Sequence, residues 1–160
     1  TINSRFLAFS RLAFRLWPDK PKMIRGALGR PHQFDSHHAA FEFYRTKRAF
    51  SDIADTELMD YVLAAHAPSD NGVDLRYSGA WEACVYRSPP NLWKCFDHIH
   101  KPIHILGGEH SYVIVPNVAE RLKHLRNVKF ETIGAGHLMP LEKPQETASF
   151  VTECISFYET

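Results

Sequence analysis

No stretch of the 160 residues approaches the run of about eighteen apolar positions that a membrane span needs, and no signal peptide is visible. An excess of one charge is missing too. With 19 lysines and arginines against 18 aspartates and glutamates the formal net charge is +1, which points to neither nucleic acid nor a membrane surface as partner. Cysteine is scarce: Cys84, Cys95 and Cys154 are odd in number, far apart and set among apolar residues. Reduced, buried thiols in a cytoplasmic protein are expected from that, not a disulfide framework. Internal repeats and low-complexity tracts are absent. What the chain does have is 44% hydrophobic residues and 12% aromatics, enough for the core of one ordinary domain.

The most informative stretch runs from Lys101 to Thr147. Ile103, Ile105 and Leu106 form a short apolar run closed by Gly107-Gly108, and Val118, Leu122 and Leu125 recur at helical spacing between Pro116 and Asn127. Val128, Phe130, Thr132 and Ile133 then predict a second strand, ended by Gly134-Ala135-Gly136. Two strands joined by such a helix must lie parallel, with a right-handed crossover. Ligands bind parallel sheets outside the carboxyl ends of the strands, so both glycine turns, and His137 with them, belong at that edge. Glycines at 134 and 136 are expected to let the backbone take positive φ and seat the imidazole over the strand end.

The pieces ILGGEHS, GAGHLMPLEKP and the helix from Gln145 onward resemble, in order and spacing over roughly fifty residues, the C-terminal part of the α/β-hydrolase family. There a penultimate strand ends in a glycine turn, and the last strand leads to a G-x-G-H-like segment with the catalytic histidine, then P-x-E-x-P and the final helix. The resemblance implies that His137 is the general base for hydrolysis of an ester or related bond, with no cofactor. Imidazole suits that task because it titrates near working pH and can take a hydroxyl proton and later deliver it to the leaving group. The family's triad acid often comes from G-x-x-D after the penultimate strand, and the matching position here is Ser111. The acid is then expected from an earlier strand outside this chain, or from Glu109, unless the site is degenerate. No G-x-S-x-G nucleophile elbow occurs either.

Residues 1–98 predict short helices almost throughout: a stripe of Ile2, Phe6, Phe9, Leu12, Ala13 and Leu16, then helices near 21–28, 37–47, 55–67, 81–86 and 91–96, with a turn at Asp70-Asn71-Gly72 and a short strand or extended segment from Val73 to Tyr77. This change of composition divides the chain into a helical cap or lid over 1–98 and the C-terminal part of an α/β core over 99–160. DNGVDLRY followed by WEACVY also looks like the cap exit of hydrolases with an epoxide-hydrolase-like cap. From the cap, Trp81, Tyr86 and Trp93 are expected to line the substrate pocket, joined by Leu138 and Met139 beside the histidine, which suits a small hydrophobic ester or acyl substrate. The stripe near Thr1 needs a surface. The expectation is therefore a chain that works with a missing N-terminal half or a second chain. Two other readings stay open: a non-catalytic binding module of the same fold, and a small His-rich metalloprotein using His98, His100 and His104, whose spacing matches no zinc signature.

Overall fold

The computed structural model describes residues 16, 19–88, 90, 93–96, 98–114 and 116–159. The expected stripe over Ile2–Leu16 lies outside these, Leu16 apart. Two compact units are present, one built from 45–58 and 95–160, the other from residues up to Tyr44 together with 59–94. One segment of the first hundred residues thus packs with the C-terminal part.

In the second unit, helix α1 (Lys22–Leu28) packs on helix α4 (Gly79–Arg87). Ile24, Ala27 and Ala83 bury their side chains there, and Tyr86 lies against them. The two helices touch so closely that a Cβ on Gly79 would stand 2.0 Å from the Ala27 carbonyl oxygen. Ser78 starts α4 by accepting the Trp81 amide at 3.2 Å, and Ser36 caps α2 (His37–Arg45) through the Ala39 amide at 3.1 Å. Helix α3 (Asp55–Ala65), whose residues 55–58 belong to the first unit, carries the expected Leu58 and Val62, both buried.

Three strands, β1 (Gln33–Phe34), β2 (His66–Ser69) and β3 (Gly72–Leu75), form an antiparallel sheet in the order β1-β3-β2. The sequence predicts a helix over 55–67 instead, stopped by Pro68. That proline can sit in β2 because β2 is an edge strand and needs no outward amide. Gly72 has the left-handed φ of 126° that closes the β2–β3 turn at the expected place.

The first unit holds helix α5 (Trp93–Phe96), of which Cys95 and Phe96 belong here, and the parallel pair β4 (Ile103–Gly108) and β5 (Val128–Ile133). Ile103 faces Val128 and Gly108 faces Ile133 in register. Helix α6 (Pro116–Lys123) makes the crossover and packs on β5, with Leu122 buried. Beyond β5 come the short helix α7 (Met139–Glu142) and the long helix α8 (Pro144–Glu159), which packs on β4. The strand–helix–strand unit is therefore present as expected.

Two expectations need correction. Gly134 and Gly136 do not have positive φ; among the described residues that conformation belongs to Gly72. Cys84 and Cys95 are exposed, and only Cys154 is half-buried; all three are free thiols. The cysteines at 84 and 95 stand among apolar residues in sequence but fall on the outer side of short helices.

Candidate active site

His137 sits one residue past the glycine bend that ends β5. Its Nδ1 lies 3.3 Å from Ser111 Oγ, and Ser111 is only 8% exposed. The same hydroxyl accepts the Val113 amide at 3.3 Å, which leaves a lone pair for an Nδ1–H or its own proton for a bare Nδ1. With hydrogen on Nδ1, the Nε2 lone pair is free to act as base. Tyr112 covers the imidazole, with ring centroids 5.1 Å apart.

Close backbone approach is what brings these two turns together. A Cβ on Gly108 would come within 1.9 Å of the Gly136 carbonyl oxygen and 2.5 Å of that of Ala135, so a glycine is needed where β4 ends. The His110 amide donates to the Ala135 carbonyl at 3.0 Å, tying the Ser111 turn to the His137 bend. Glu142 completes the arrangement from α7: its carboxylate accepts the amides of Gly136 and, at 3.1 Å, of Leu138. Gly136 leaves room for it: a Cβ there would stand 2.7 Å from that carboxylate, which would have to shift. Two charge-assisted hydrogen bonds thus hold the residues on either side of His137.

A cavity of about 710 Å³ opens beside the ring. Arg48, Ser51 and Asp52 line one side, and Tyr112, His137 and Leu138 line another. The 48–55 segment is pinned by Arg45, whose guanidinium donates to the carbonyls of Phe50 at 3.0 Å and Ile53 at 2.9 Å and bridges Asp55 at 2.5 Å. Asp52 is the carboxylate on that wall, and its Oδ1 accepts from Ser51 Oγ at 3.2 Å.

Of the residues singled out from sequence, His137 and Leu138 line this cavity. Glu109 is exposed on the β4 turn and does not line it; Ser111, two residues on, is the hydrogen-bond partner of the imidazole. Met139 begins α7. Trp81, Tyr86 and Trp93 belong to the other unit. There Tyr86 packs on Ile24, Ala27 and Ala83 and donates its hydroxyl to Glu82 at 2.7 Å, while Trp81 is 61% exposed beside Tyr77. Among the described residues no group of three or more His, Cys, Asp or Glu side chains could hold a metal, and His104 turns its Nδ1 to Cys154. Glu142, Asp52 and Arg45 were missed as site residues. P-x-E-x-P flagged the first, but nothing local marks the other two.

No family model and no curated protein matches the chain. Solved structures do. E-2-(acetamidomethylene)succinate hydrolase superposes with a TM-score of 0.66 at 21% identity, covering 84% of this chain and 52% of that one. A peroxisomal α/β-hydrolase of Saccharomyces cerevisiae gives 0.66 at 18%, covering 89% and 42%. An esterase of M. tuberculosis gives 0.64 at 19%, covering 92% and 51%. The chain therefore spans about half the length of the structures it matches.

Proposed function

We propose that this chain, whose fold is that of the C-terminal part of an α/β-hydrolase, supplies the acid–base histidine and part of the substrate cavity for hydrolysis of an ester or related bond. The observation that carries the reading is the seat of His137 at the carboxyl edge of a parallel pair, its Nδ1 against a buried hydroxyl and its ring on a cavity. From there Nε2 can take the proton of an attacking hydroxyl and pass it to the leaving group, with no cofactor. The nucleophile elbow and the oxyanion donors come from a polypeptide other than these 160 residues. Tyr112, Leu138 and Ala49 offer apolar surface for an acyl group, and Arg48 and Lys143, which also line the cavity, suit a polar end. The free thiols suit a reducing, cytoplasmic setting.

One observation favours a second reading. A neutral hydroxyl at Nδ1 orients the ring but does not offset the charge of an imidazolium as a carboxylate does, and that is what a non-catalytic binding module of this fold would tolerate. The test is assembly of the chain with a separately supplied half that carries a nucleophile elbow, assayed on a nitrophenyl acyl ester. The His137→Ala variant should lose about a thousandfold or more in kcat with KM little changed. An assembled variant that hydrolyses the ester as fast as the parent refutes the role of His137, and an assembled parent that does not hydrolyse it leaves the binding-module reading in its place.

A further inference from the structure

A second pair of reactive groups lies in the same unit, at the other end of the strands. Cys154 on α8 holds its Sγ 3.0 Å from Nδ1 of His104 on β4. The imidazole is fixed from its sides by the rings of Phe150, Phe157 and Tyr158, with centroids 6.4, 5.7 and 5.6 Å away. Lys129 on β5 faces the same place, being in register with His104 on the parallel pair. Its ammonium is held above the ordinary lysine value, first by Glu131, which bridges it at 2.8 Å, and further by Cys154 and Glu153. A cavity of about 300 Å³ opens there, lined by His104, Arg126, Lys129 and Phe157 among others.

A nucleophile within hydrogen-bond reach of a base whose orientation is fixed is the arrangement that activates a thiol. Cationic neighbours favour the thiolate, and partial exposure lets a small reagent reach it. Cys84 and Cys95 make the comparison internal: both are more exposed than Cys154, and neither has an imidazole against it among the described residues. Burial alone would rank Cys154 as the least reactive of the three.

We infer that Cys154 and His104 form a thiol–imidazole pair that makes Cys154 a modification site for small anionic disulfides entering over Arg126 and Lys129. In the step, the Sγ proton passes to His104 Nδ1 as Sγ attacks one sulfur of the disulfide. The S–S bond of the reagent breaks, a Cys154 mixed disulfide forms, and the second half leaves as a thiolate with the bonding electron pair. Cys154 is oxidised and the departing half is reduced, so nothing else is consumed. His104 from β4 touches the thiol, Lys129 from β5 interacts with it electrostatically, and Glu131 and Glu153 act on that same ammonium.

The experiment is a time course of the folded chain with oxidised glutathione and, separately, dithiobis(nitrobenzoate), each cysteine being followed by peptide mass mapping. Cys154 should react about tenfold faster than Cys84 and Cys95, although it is the least exposed of the three. His104→Gln should bring Cys154 down to the rate of the other two or below. Lys129→Gln should slow the anionic reagents by about threefold. A Cys154 that reacts no faster than Cys84 in the parent overturns the inference. So does a folded His104→Gln variant that keeps the parent's Cys154 rate, because that would reflect access alone. Should His104→Gln unfold the chain, all three cysteines converge on one rate, and the parent's ratio then decides.

Discussion

Removing the Glu142 carboxylate should loosen the bend that carries His137. In the parent that carboxylate accepts two backbone amides, those of Gly136 and Leu138, from a half-buried position. Hydrogen bonds to a charged group contribute about 1.5–3 kcal/mol each. Water can reach both amides once the side chain is cut back, so part of this returns and the net loss for Glu142→Ala should be about 2 kcal/mol. For a domain of this size that is a fall in Tm of about 4–8 °C. Glu142→Gln keeps a carbonyl oxygen for one amide but turns an NH2 towards the other, so about half the effect is expected. Urea unfolding supplies the free energy, and amide hydrogen exchange supplies the location: Gly136 and Leu138 should exchange faster in the variant while β4 and β5 keep their protection. A variant within about 0.5 kcal/mol of the parent, with exchange at both amides unchanged, would refute the claim that Glu142 holds the histidine turn.

Three further outcomes follow from the packing. Gly108→Ala drives a Cβ against the backbone of Ala135 and Gly136, which a side-chain shift cannot relieve; it should cost about 3 kcal/mol by urea unfolding, whereas Gly134→Ala, with open space around it, should cost under about 1. Arg45→Ala removes the guanidinium from Asp55 and from the carbonyls of Ile53 and Phe50, of which Phe50 keeps the Ile53 amide, and should destabilise by about 2 kcal/mol with increased proteolysis across 48–55. The third concerns pH. His66 is buried, with Nδ1 2.9 Å from the Val62 carbonyl and Nε2 without a partner among the described residues. Burial pushes it below the ordinary histidine value, with His37 and His32 adding to the effect against the Val62 hydrogen bond. The folded state therefore holds the neutral ring, and the unfolded chain binds the extra proton first. Stability should be full above about pH 6.5 and fall as pH drops from there towards the folded-state value; His66→Asn should flatten that slope in urea midpoints measured from pH 7.5 to 5.

The residues that were legible in the sequence are those whose partners are near in the chain. The β4–α6–β5 unit, the glycine bend and the position of His137 follow from period and punctuation within fifty residues. Ser111 stood out for the same reason, as the position where a carboxylate belonged, and it is the residue against the imidazole. Glu109 was attractive as the nearest acid, but two residues along a tight turn point a side chain elsewhere. Glycines 134 and 136 suggested a left-handed backbone. What Gly136 provides is room for a carboxylate six residues on, a contact that no periodicity announces. In the antiparallel sheet the turn before Val73 and an extended segment after it were legible, but β2 was hidden because Pro68 reads as a helix stop and only the pairing with Val73 and the open outer edge make it a strand. Arg45 and its three acceptors are similarly invisible, since an arginine in the last turn of a helix looks like a solvated cation until the chain folds back on it.

The most direct measurement is the tautomer of the His137 ring, read from long-range proton–nitrogen NMR on the folded chain. A base for hydrolysis needs hydrogen on Nδ1, shared with Ser111, and a bare Nε2 towards the cavity. The neutral ring should therefore be mostly the Nδ1–H form in the parent and lose that preference in Ser111→Ala. A ring carrying its hydrogen on Nε2 in the parent, unchanged by the loss of the Ser111 hydroxyl, would contradict the role assigned to His137.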